Sequence, residues 1–326
     1  MKKILFIPPG IQNGSYMEAH YEYLIRYLSD EFFIEMAGVP YPPFDNFLDR
    51  YPETNPFMRN PNEYDLIIPL LPTHAGVPTT QEWFDRMAIV MYEPGEGHWS
   101  AVKHIASTTD ATDKGEYPGK KVHKVRFGID TELFQPYPMV REDKLLHVGV
   151  VGSYGNPRRM FEEAVKPLYD LEGVRIMIFP QMWVNDGGTE DAMKRLGGSE
   201  FIERVVTGGK FWSGIPNIYN RLDVLLRCDS YYGVSFPVLE AAACGVPVIA
   251  TNCGIDHHIT KAGGGILIDK DEPKLAEKVR EAVIWMRDNE AEREKMGRQA
   301  RYEIEKNWTW EEHIDGWRKF LREAVA

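Results

Sequence analysis

The sequence predicts an α/β protein built from two parallel-sheet domains, and three observations support this. The chain has 326 residues, which is long for one domain and suits two of ordinary size. An apolar strand at Lys3–Pro8, a glycine-containing loop and a helix at Tyr16–Ser29 open the first half. The second observation includes the other half as well, which opens with the buried-type strand Leu145–Val151. The third observation is a strand–loop–helix–strand unit near residue 240, which is typical of a parallel sheet.

This unit carries the strongest signal for function. We expect strands at Val224–Leu226 and Val248–Thr251, with a small-residue helix at Val238–Cys244 between them and Glu240 in its first turn. In a parallel sheet, the loop and the helix N-terminus lie at the carboxyl edge, where ligands bind. A helix N-terminus attracts phosphate, and a carboxylate there can accept hydrogen bonds from sugar hydroxyls. The pattern predicts a site for a phosphorylated sugar or nucleotide; the alternative is a packing unit without a ligand.

Composition narrows the class of protein. With 43% hydrophobic and 27% charged residues, the chain is typical of a globular protein. Its net charge of −11 argues against nucleic acid or anionic lipid as a partner, although a local basic patch stays compatible with either. Three cysteines, Cys228, Cys244 and Cys253, without framework or zinc-ligand spacing, predict buried thiols, no metal site and a reducing compartment. No segment has the length of a transmembrane helix, so we expect a cytoplasmic protein.

Further strands and helices follow from the hydrophobic periodicity. The predicted strands are Phe32–Val39, Asp65–Leu71, Met87–Tyr92, Ile105–Thr109 and Val174–Phe179, and the predicted helices are Met160–Leu171, Ile215–Leu222, Pro273–Arg287, 290–306 and a last helix ending near Ala324. A glycine-rich loop follows Met87–Tyr92 and contains Glu93 and His98, which could act as acid and base. The alternative for this loop is a solvated turn.

Three sequence motifs carry a family resemblance. Residues 230–250 read S-Y-Y-G-V-S-F-P-V-L-E-A-A-A-C-G-V-P-V-I-A, and they resemble the nucleotide-sugar-binding core of family 4 glycosyltransferases. G-I-D-T-E-L-F-Q-P at 128–136 and G-G-G-I-L-I-D at 263–269 resemble further motifs of that family. The resemblance implies the GT-B fold, with two Rossmann-like domains facing across a cleft and the C-terminal helix crossing back to the N-terminal domain. The domains would then be residues 1–140 with the returning helix at about 309–326, and residues 141–308, joined by a hinge at 137–144.

The same resemblance implies the site residues. Glu240 would hold the ribose diol, and His98, Glu93 and Arg159 would be the catalytic residues. The donor-binding set would comprise Gly14, Gly152, Ser153, Arg158, Arg159, Gly209, Lys210, Phe211, Tyr232, Gly233, Val234, Ser235 and Glu240. Two of these depart from the family pattern, since Tyr232 stands where a Glu is usual and Ser153 where an Arg is usual.

The expected reaction is transfer of a sugar from a nucleoside diphosphate donor, with a UDP-sugar favoured, to an acceptor hydroxyl. The resemblance implies retention of anomeric configuration, no metal and no cofactor besides the donor. The acceptor could be a glycan, a lipid-linked sugar or another hydroxyl. Two alternatives stay open: a catalytically impaired nucleotide-sugar-binding protein, and a transferase with an unusual acceptor such as modified DNA.

Overall fold

Parallel strands organise both halves of the chain in the computed structural model. The model describes residues 1–7, 17–37, 59–69, 80–91, 102–108, 117–141, 143–151, 160–179, 202–204, 216–228, 234–252, 254 and 256–326. Every pair of named strands within these ranges is parallel. The α/β prediction is therefore confirmed.

The chain forms two compact units. The first contains Met1–Gly128 together with Trp310–Ala326, and the second contains Ile129–Thr309. The C-terminal helix thus belongs to the N-terminal unit, as the resemblance implied. The division falls after Gly128, whereas the sequence prediction placed it after residue 140.

The segment predicted as the hinge, 137–144, lies inside the second unit, and the hinge itself stays a prediction. The backbone N–H of Tyr137 donates to Asn220 Oδ1 at 2.9 Å. Farther along, the Arg141 guanidinium donates to both carboxylate oxygens of Asp223, at 2.5 and 2.8 Å. These partners lie about 80 residues away along the chain, and a pattern of proline and charge does not reveal them.

Two three-stranded sheets form the first unit. Their orders are β2-β1-β3 and β4-β5-β6. The strands are β1 Lys2–Ile7, β2 Phe32–Met36, β3 Leu66–Pro69, β4 Ala88–Met91, β5 His104–Ser107 and β6 Lys121–Lys124. A parallel bridge links the two sheets, from Ile67 in β3 to Met87, the residue directly before β4.

The second unit contains a six-stranded sheet of order β12-β11-β10-β7-β8-β9. Its strands are β7 Leu146–Val151, β8 Val174–Phe179, β9 Ile202–Arg204, β10 Val224–Arg227, β11 Val248–Thr251 and β12 Gly265–Ile268. The chain runs outward from β7 to β9, then returns to the other side of β7 and continues from β10 to β12. This is the strand order of the doubly wound Rossmann sheet, in which ligands bind outside the carboxyl ends of the two strands where the order reverses. Those strands are β7 and β10.

The helices flank these sheets. They are α1 Met17–Leu28, α2 Gln81–Phe84, α3 Phe236–Ala243, α4 Asp256–Ile259, α5 Leu275–Asp288, α6 Glu290–Asn307 and α7 Trp310–Ala324. One core of the second unit contains Val148, Val224 and Leu226 from the sheet and Val279 and Val283 from α5. Burial of these apolar side chains supplies the main stabilising free energy of the unit.

Three predicted helices differ from the structure within the described residues. The single helix predicted at Met160–Leu171 is instead a π-helical segment, Met160–Val165, followed by a 3₁₀ turn, Lys166–Leu168. Pro167 lies in that turn, and its missing N–H cannot continue an α-helical ladder. The helix predicted to reach Leu222 ends at Tyr219. Helix α3 begins at Phe236, two residues earlier than predicted.

Helix α7 packs within the first unit through one apolar face. Trp310, Trp317 and Phe320 are buried there. The indole N–H of Trp317 donates to the carbonyl oxygen of Arg126 at 2.8 Å. The polar face carries Arg322, which donates to both carboxylate oxygens of Glu31.

Candidate functional site

The carboxyl ends of β7 and β10 define the candidate site. The two strands pair directly, with Leu226 opposite Val150. β7 ends at Val151, and the predicted phosphate-binding residues Gly152 and Ser153 follow in the sequence. β10 ends at Arg227, shortly before the predicted donor-binding residues 232–235. The sheet order and the motif prediction therefore point to the same edge.

Helix α3 follows this edge and begins earlier than predicted. Ser235 is its N-cap residue, and the backbone N–H groups of Val238 and Leu239 both donate to the Ser235 carbonyl oxygen at 3.2 Å. Pro237 lies in the first turn, where its fixed φ suits a helix and its missing N–H costs nothing. This proline moves the start of α3 to Phe236, so Glu240 does not lie in the first turn as predicted. The predicted residues Val234 and Ser235 directly precede the helix.

Glu240 is fully buried on α3, with 0% of its surface exposed. The hydroxyl of Tyr219 donates to Glu240 Oε2 at 2.9 Å, and Tyr219 is itself only 5% exposed. A carboxylate accepts hydrogen bonds only, so it depends on donors when it is buried. Hydrogen bonds to an ionised group are short and strong, and the low local dielectric strengthens them further. Tyr219 therefore holds this carboxylate in one orientation.

Tyr219 ends a helical turn, 216–219, that is tied to the segment 131–137. The Asn220 side-chain amide donates to the carbonyl oxygens of Gln135 at 3.1 Å and Pro216 at 2.8 Å. The ring of Phe134 lies 6.2 Å from the ring of Tyr219, centroid to centroid. The segment 131–137 includes most of the motif G-I-D-T-E-L-F-Q-P and will be called the brace.

Arg301 on α6 joins the brace to the C-terminus of α3. Its guanidinium donates to the carbonyl oxygens of Phe134 at 2.5 Å, Ala243 at 2.6 Å and Thr131 at 3.1 Å. The carbonyls at a helix C-terminus lack intrahelical partners and carry partial negative charge, so a cation there is stabilising. Arg301 thus fixes both the brace and the helix that carries Glu240.

The backbones of α6 and of the turn after α3 approach each other very closely. A Cβ atom added to Gly297 would lie 2.1 Å from the carbonyl oxygen of Gly245. Gly245 itself has a φ of 76°, in the left-handed region that favours glycine and commonly ends helices. Only glycine at position 297 permits this contact between the two elements.

Cys244 follows α3 and is buried next to Glu240. Burial, with the Glu240 charge as a second cause, raises the pKa of the Cys244 thiol to about 12. The thiol therefore stays protonated at neutral pH and is a poor nucleophile. Cys228 is also buried, in keeping with the prediction of buried thiols, whereas Cys253 lies outside the described residues.

Most of the predicted site residues lie outside the residues that the structure describes, so their roles stay predictions. They are Gly14, Glu93, His98, Gly152, Ser153, Arg158, Arg159, Gly209, Lys210, Phe211, Tyr232 and Gly233. Within the described ranges, no group of three or more His, Cys, Asp or Glu side chains could hold a metal ion. That finding covers only part of the chain, so metal independence also stays a prediction. No helix among the described residues is long and apolar enough to cross a membrane.

Sequence reasoning missed Tyr219 and Arg301. Tyr219 lies in a mixed polar and apolar segment ahead of β10 that contains no recognisable motif, and Arg301 lies in a helix with many charged residues. Their partners are 21 residues away for Tyr219 and 58 to 170 residues away for Arg301. Only the G-I-D-T-E-L-F-Q-P motif signalled that the brace has a specific task.

Comparison with solved structures identifies the fold. Sucrose-phosphate synthase from Thermosynechococcus elongatus matches with a TM-score of 0.73 and 12% identity, over 99% of each chain. The Anabaena protein HepE in complex with UDP-glucose matches with a TM-score of 0.70 and 12% identity, also over 99% of each chain. The chain has the GT-B fold. At such low identity the likeness shows the fold of this GT-B protein and not its activity.

The match to a family model lies in the second unit of the GT-B chain. Residues 142–283 match the family described as "Glycosyl transferases group 1", from just before β7 into α5. The GDP-mannose-dependent monoacylated alpha-(1-6)-phosphatidylinositol monomannoside mannosyltransferase of Corynebacterium glutamicum is 39% identical over 80 residues, 24% of this chain and 20% of that protein. An uncharacterized glycosyltransferase of Methanocaldococcus jannaschii is 22% identical over 237 residues, 69% of this chain and 57% of that protein. The chain thus spans a fifth and just over half of the lengths of these relatives.

Proposed function

We propose that this protein transfers a sugar from a nucleoside diphosphate donor to an acceptor hydroxyl. The observation that carries the proposal is the buried, hydrogen-bonded carboxylate of Glu240 on α3, the helix that follows β10 at the reversal point of a Rossmann sheet. Ligands of such sheets bind at this point. The match of residues 142–283 to the group 1 glycosyl transferases supports a nucleotide sugar as that ligand.

In this proposal Glu240 accepts hydrogen bonds from the two ribose hydroxyls of the donor. Because Glu240 is fully buried, a ribose reaches its carboxylate only after neighbouring groups move, so donor binding includes a local rearrangement. Backbone N–H groups ahead of α3, at Gly233 to Ser235, face the negative charge of the phosphates. Arg158 and Arg159 stabilise the charge that grows on the leaving pyrophosphate, with Gly152 and Ser153 alongside.

The donor we favour is a UDP-sugar, with a GDP-sugar second. HepE was solved with UDP-glucose, and the relative from Corynebacterium glutamicum uses GDP-mannose, so both nucleotides occur among similar proteins. Tyr232 replaces the usual carboxylate near the donor sugar, which favours an atypical or smaller sugar such as a pentose. Strong turnover of UDP-glucose itself would contradict this part of the proposal.

The remaining chemistry follows the family resemblance. We propose transfer with retention and without a metal ion, with His98, Glu93 and Arg159 acting at the reacting centre. The acceptor is a hydroxyl of a glycan, of a lipid-linked sugar or of another molecule. Three cysteines without the spacing of a disulfide framework favour a cytoplasmic location for the reaction.

The test is a panel of UDP-, GDP- and ADP-sugars offered to the full chain with simple sugar acceptors. Release of nucleoside diphosphate from one donor, undiminished by EDTA, is expected, and nuclear magnetic resonance of the product should show the donor's anomeric configuration. His98→Ala and Arg159→Ala should each lower turnover. If no donor is bound or turned over, the proposal is wrong. Tight donor binding without turnover, in the presence of varied acceptors, would instead indicate the impaired binding protein.

A further inference from the structure

We propose that Tyr219, held in place by the brace, is a positioning residue that fixes the Glu240 carboxylate for recognition of the donor ribose. The inference rests on the proposed function, because it adds a second residue to the same site. It also gives the G-I-D-T-E-L-F-Q-P motif a role in nucleotide binding.

The first step is the hydrogen bond itself. The Tyr219 hydroxyl donates to Glu240 Oε2 at 2.9 Å, and both side chains are buried. A Glu side chain has three rotatable bonds and loses rotamer freedom when it is held in one orientation. The Tyr219 hydroxyl, hydrogen-bonded to one carboxylate oxygen, removes that rotamer freedom before the nucleotide binds. Less conformational entropy is therefore lost when the nucleotide binds.

The second step concerns what holds Tyr219. The side chain of Asn220, the next residue, donates to the carbonyl oxygen of Gln135 and accepts a hydrogen bond from the backbone N–H of Tyr137. Two hydrogen bonds therefore join the turn that ends at Tyr219 to the brace. Just before the brace, Asp130 Oδ1 accepts the backbone N–H groups of Glu132 and Leu133, both at 2.9 Å. These bonds set the position of Phe134, whose ring lies against Tyr219.

The third step concerns Arg301, which connects the brace to α3. Arg301 binds the carbonyl oxygens of Thr131 and Phe134 in the brace and that of Ala243 at the end of α3. The brace is therefore fixed to both members of the Tyr219–Glu240 pair, once through Asn220 and once through Arg301. Contacts of this kind orient a ligand-binding side chain although they do not themselves touch the ligand.

The experiment is a double-mutant cycle measured by titration calorimetry. UDP and GDP are titrated in parallel into the wild-type chain, Tyr219→Phe, Glu240→Ala and the double variant. We expect Glu240→Ala to weaken nucleotide binding about tenfold or more and Tyr219→Phe to weaken it about three- to tenfold, since hydrogen bonds to charged groups contribute strongly. In the Glu240→Ala background, Tyr219→Phe should have no further effect, because coupled residues are not additive.

A second ligand separates positioning from a general structural role. For 2′,3′-dideoxy-UDP, which lacks both ribose hydroxyls, Tyr219→Phe should leave the affinity unchanged. Equal weakening of UDP and of the dideoxy analogue would overturn the inference, as would full additivity with Glu240→Ala.

The outcomes also distinguish this inference from the proposed function. If neither UDP nor GDP binds the wild-type chain, or if Glu240→Ala binds as the wild type does, the proposed site fails and the inference with it. If Glu240→Ala weakens binding but Tyr219→Phe does not, only the inference on Tyr219 is wrong.

Discussion

Substitution of Gly297 by alanine tests how the helix that carries Glu240 is held. The added Cβ would lie 2.1 Å from the Gly245 carbonyl oxygen, whereas close carbon–oxygen contacts in proteins are about 3.3 Å or longer. The two backbones must therefore separate by about 1 Å, and neither can rotate away as a flexible side chain would.

The expected magnitude follows from two opposing effects. Overpacking costs about 1–3 kcal/mol, and a backbone–backbone clash belongs at the upper end of that range. Alanine inside a helix is more favourable than glycine by about 0.5–1 kcal/mol. The net loss in the free energy of unfolding should be about 2 kcal/mol, which corresponds to a fall in Tm of about 4–8 °C for a unit of this size.

The matched control is Gly316→Ala in α7, where the nearest atom to the added Cβ is the Lys124 carbonyl oxygen at 3.4 Å. That contact is ordinary, so the control should be unchanged or slightly more stable. Thermal unfolding by circular dichroism compares the variants. Gly297→Ala should also bind UDP more weakly, since α3 moves. Equal stability of the two variants would refute the close contact between α6 and the end of α3.

Three further predictions concern other parts of the two units. Arg301→Leu removes the donor for three backbone carbonyls and should lower the free energy of unfolding by about 3 kcal/mol in a denaturant titration; unchanged stability would contradict its role. Trp317→Phe should cost about 2 kcal/mol in the same assay, because the Arg126 carbonyl loses its donor and a smaller ring fills the site. Burial lowers the pKa of His104, and the charge of Lys121 lowers it further. Burial also lowers the pKa of His123, and the charge of His104 lowers it further. The charge of Glu323 opposes both shifts. The folded state therefore binds fewer protons than the unfolded chain below about pH 6.5, and Tm should fall as the pH drops through this range in the wild type but less so in His104→Asn/His123→Asn.

The strands could be predicted from the sequence because their apolar runs are local signals. Val174–Phe179 and Val248–Thr251 have the predicted bounds. The other predicted strands overlap observed ones, and several of their predicted ends lie outside the described residues. Prolines lie at two of the helix differences: Pro167 is in the 3₁₀ turn that follows the π-helical segment, and Pro237 is in the first turn of α3. Both differences are in keeping with the missing N–H and fixed φ of proline, so the sequence contained the information needed to predict them.

The parts that sequence reasoning missed depend on contacts between distant residues. The segment 137–144 has the composition of a hinge, yet Tyr137 and Arg141 bind residues in the turn before β10 and at its start. Glu240 was predicted from its motif, but its partner Tyr219 was not. A hydrogen bond between two elements depends on how they pack together, and hydrophobic periodicity reports only which face of each element is buried.

The most direct test of the nucleotide site is a crystal structure of the chain with UDP, or with GDP if that nucleotide binds more tightly. We expect the pyrophosphate at the carboxyl ends of β7 and β10 and both ribose hydroxyls within about 2.6–3.2 Å of the Glu240 carboxylate. Tyr219 should still donate to the same carboxylate in the complex. A nucleotide bound elsewhere, or a ribose that makes no contact with Glu240, would contradict the proposed site.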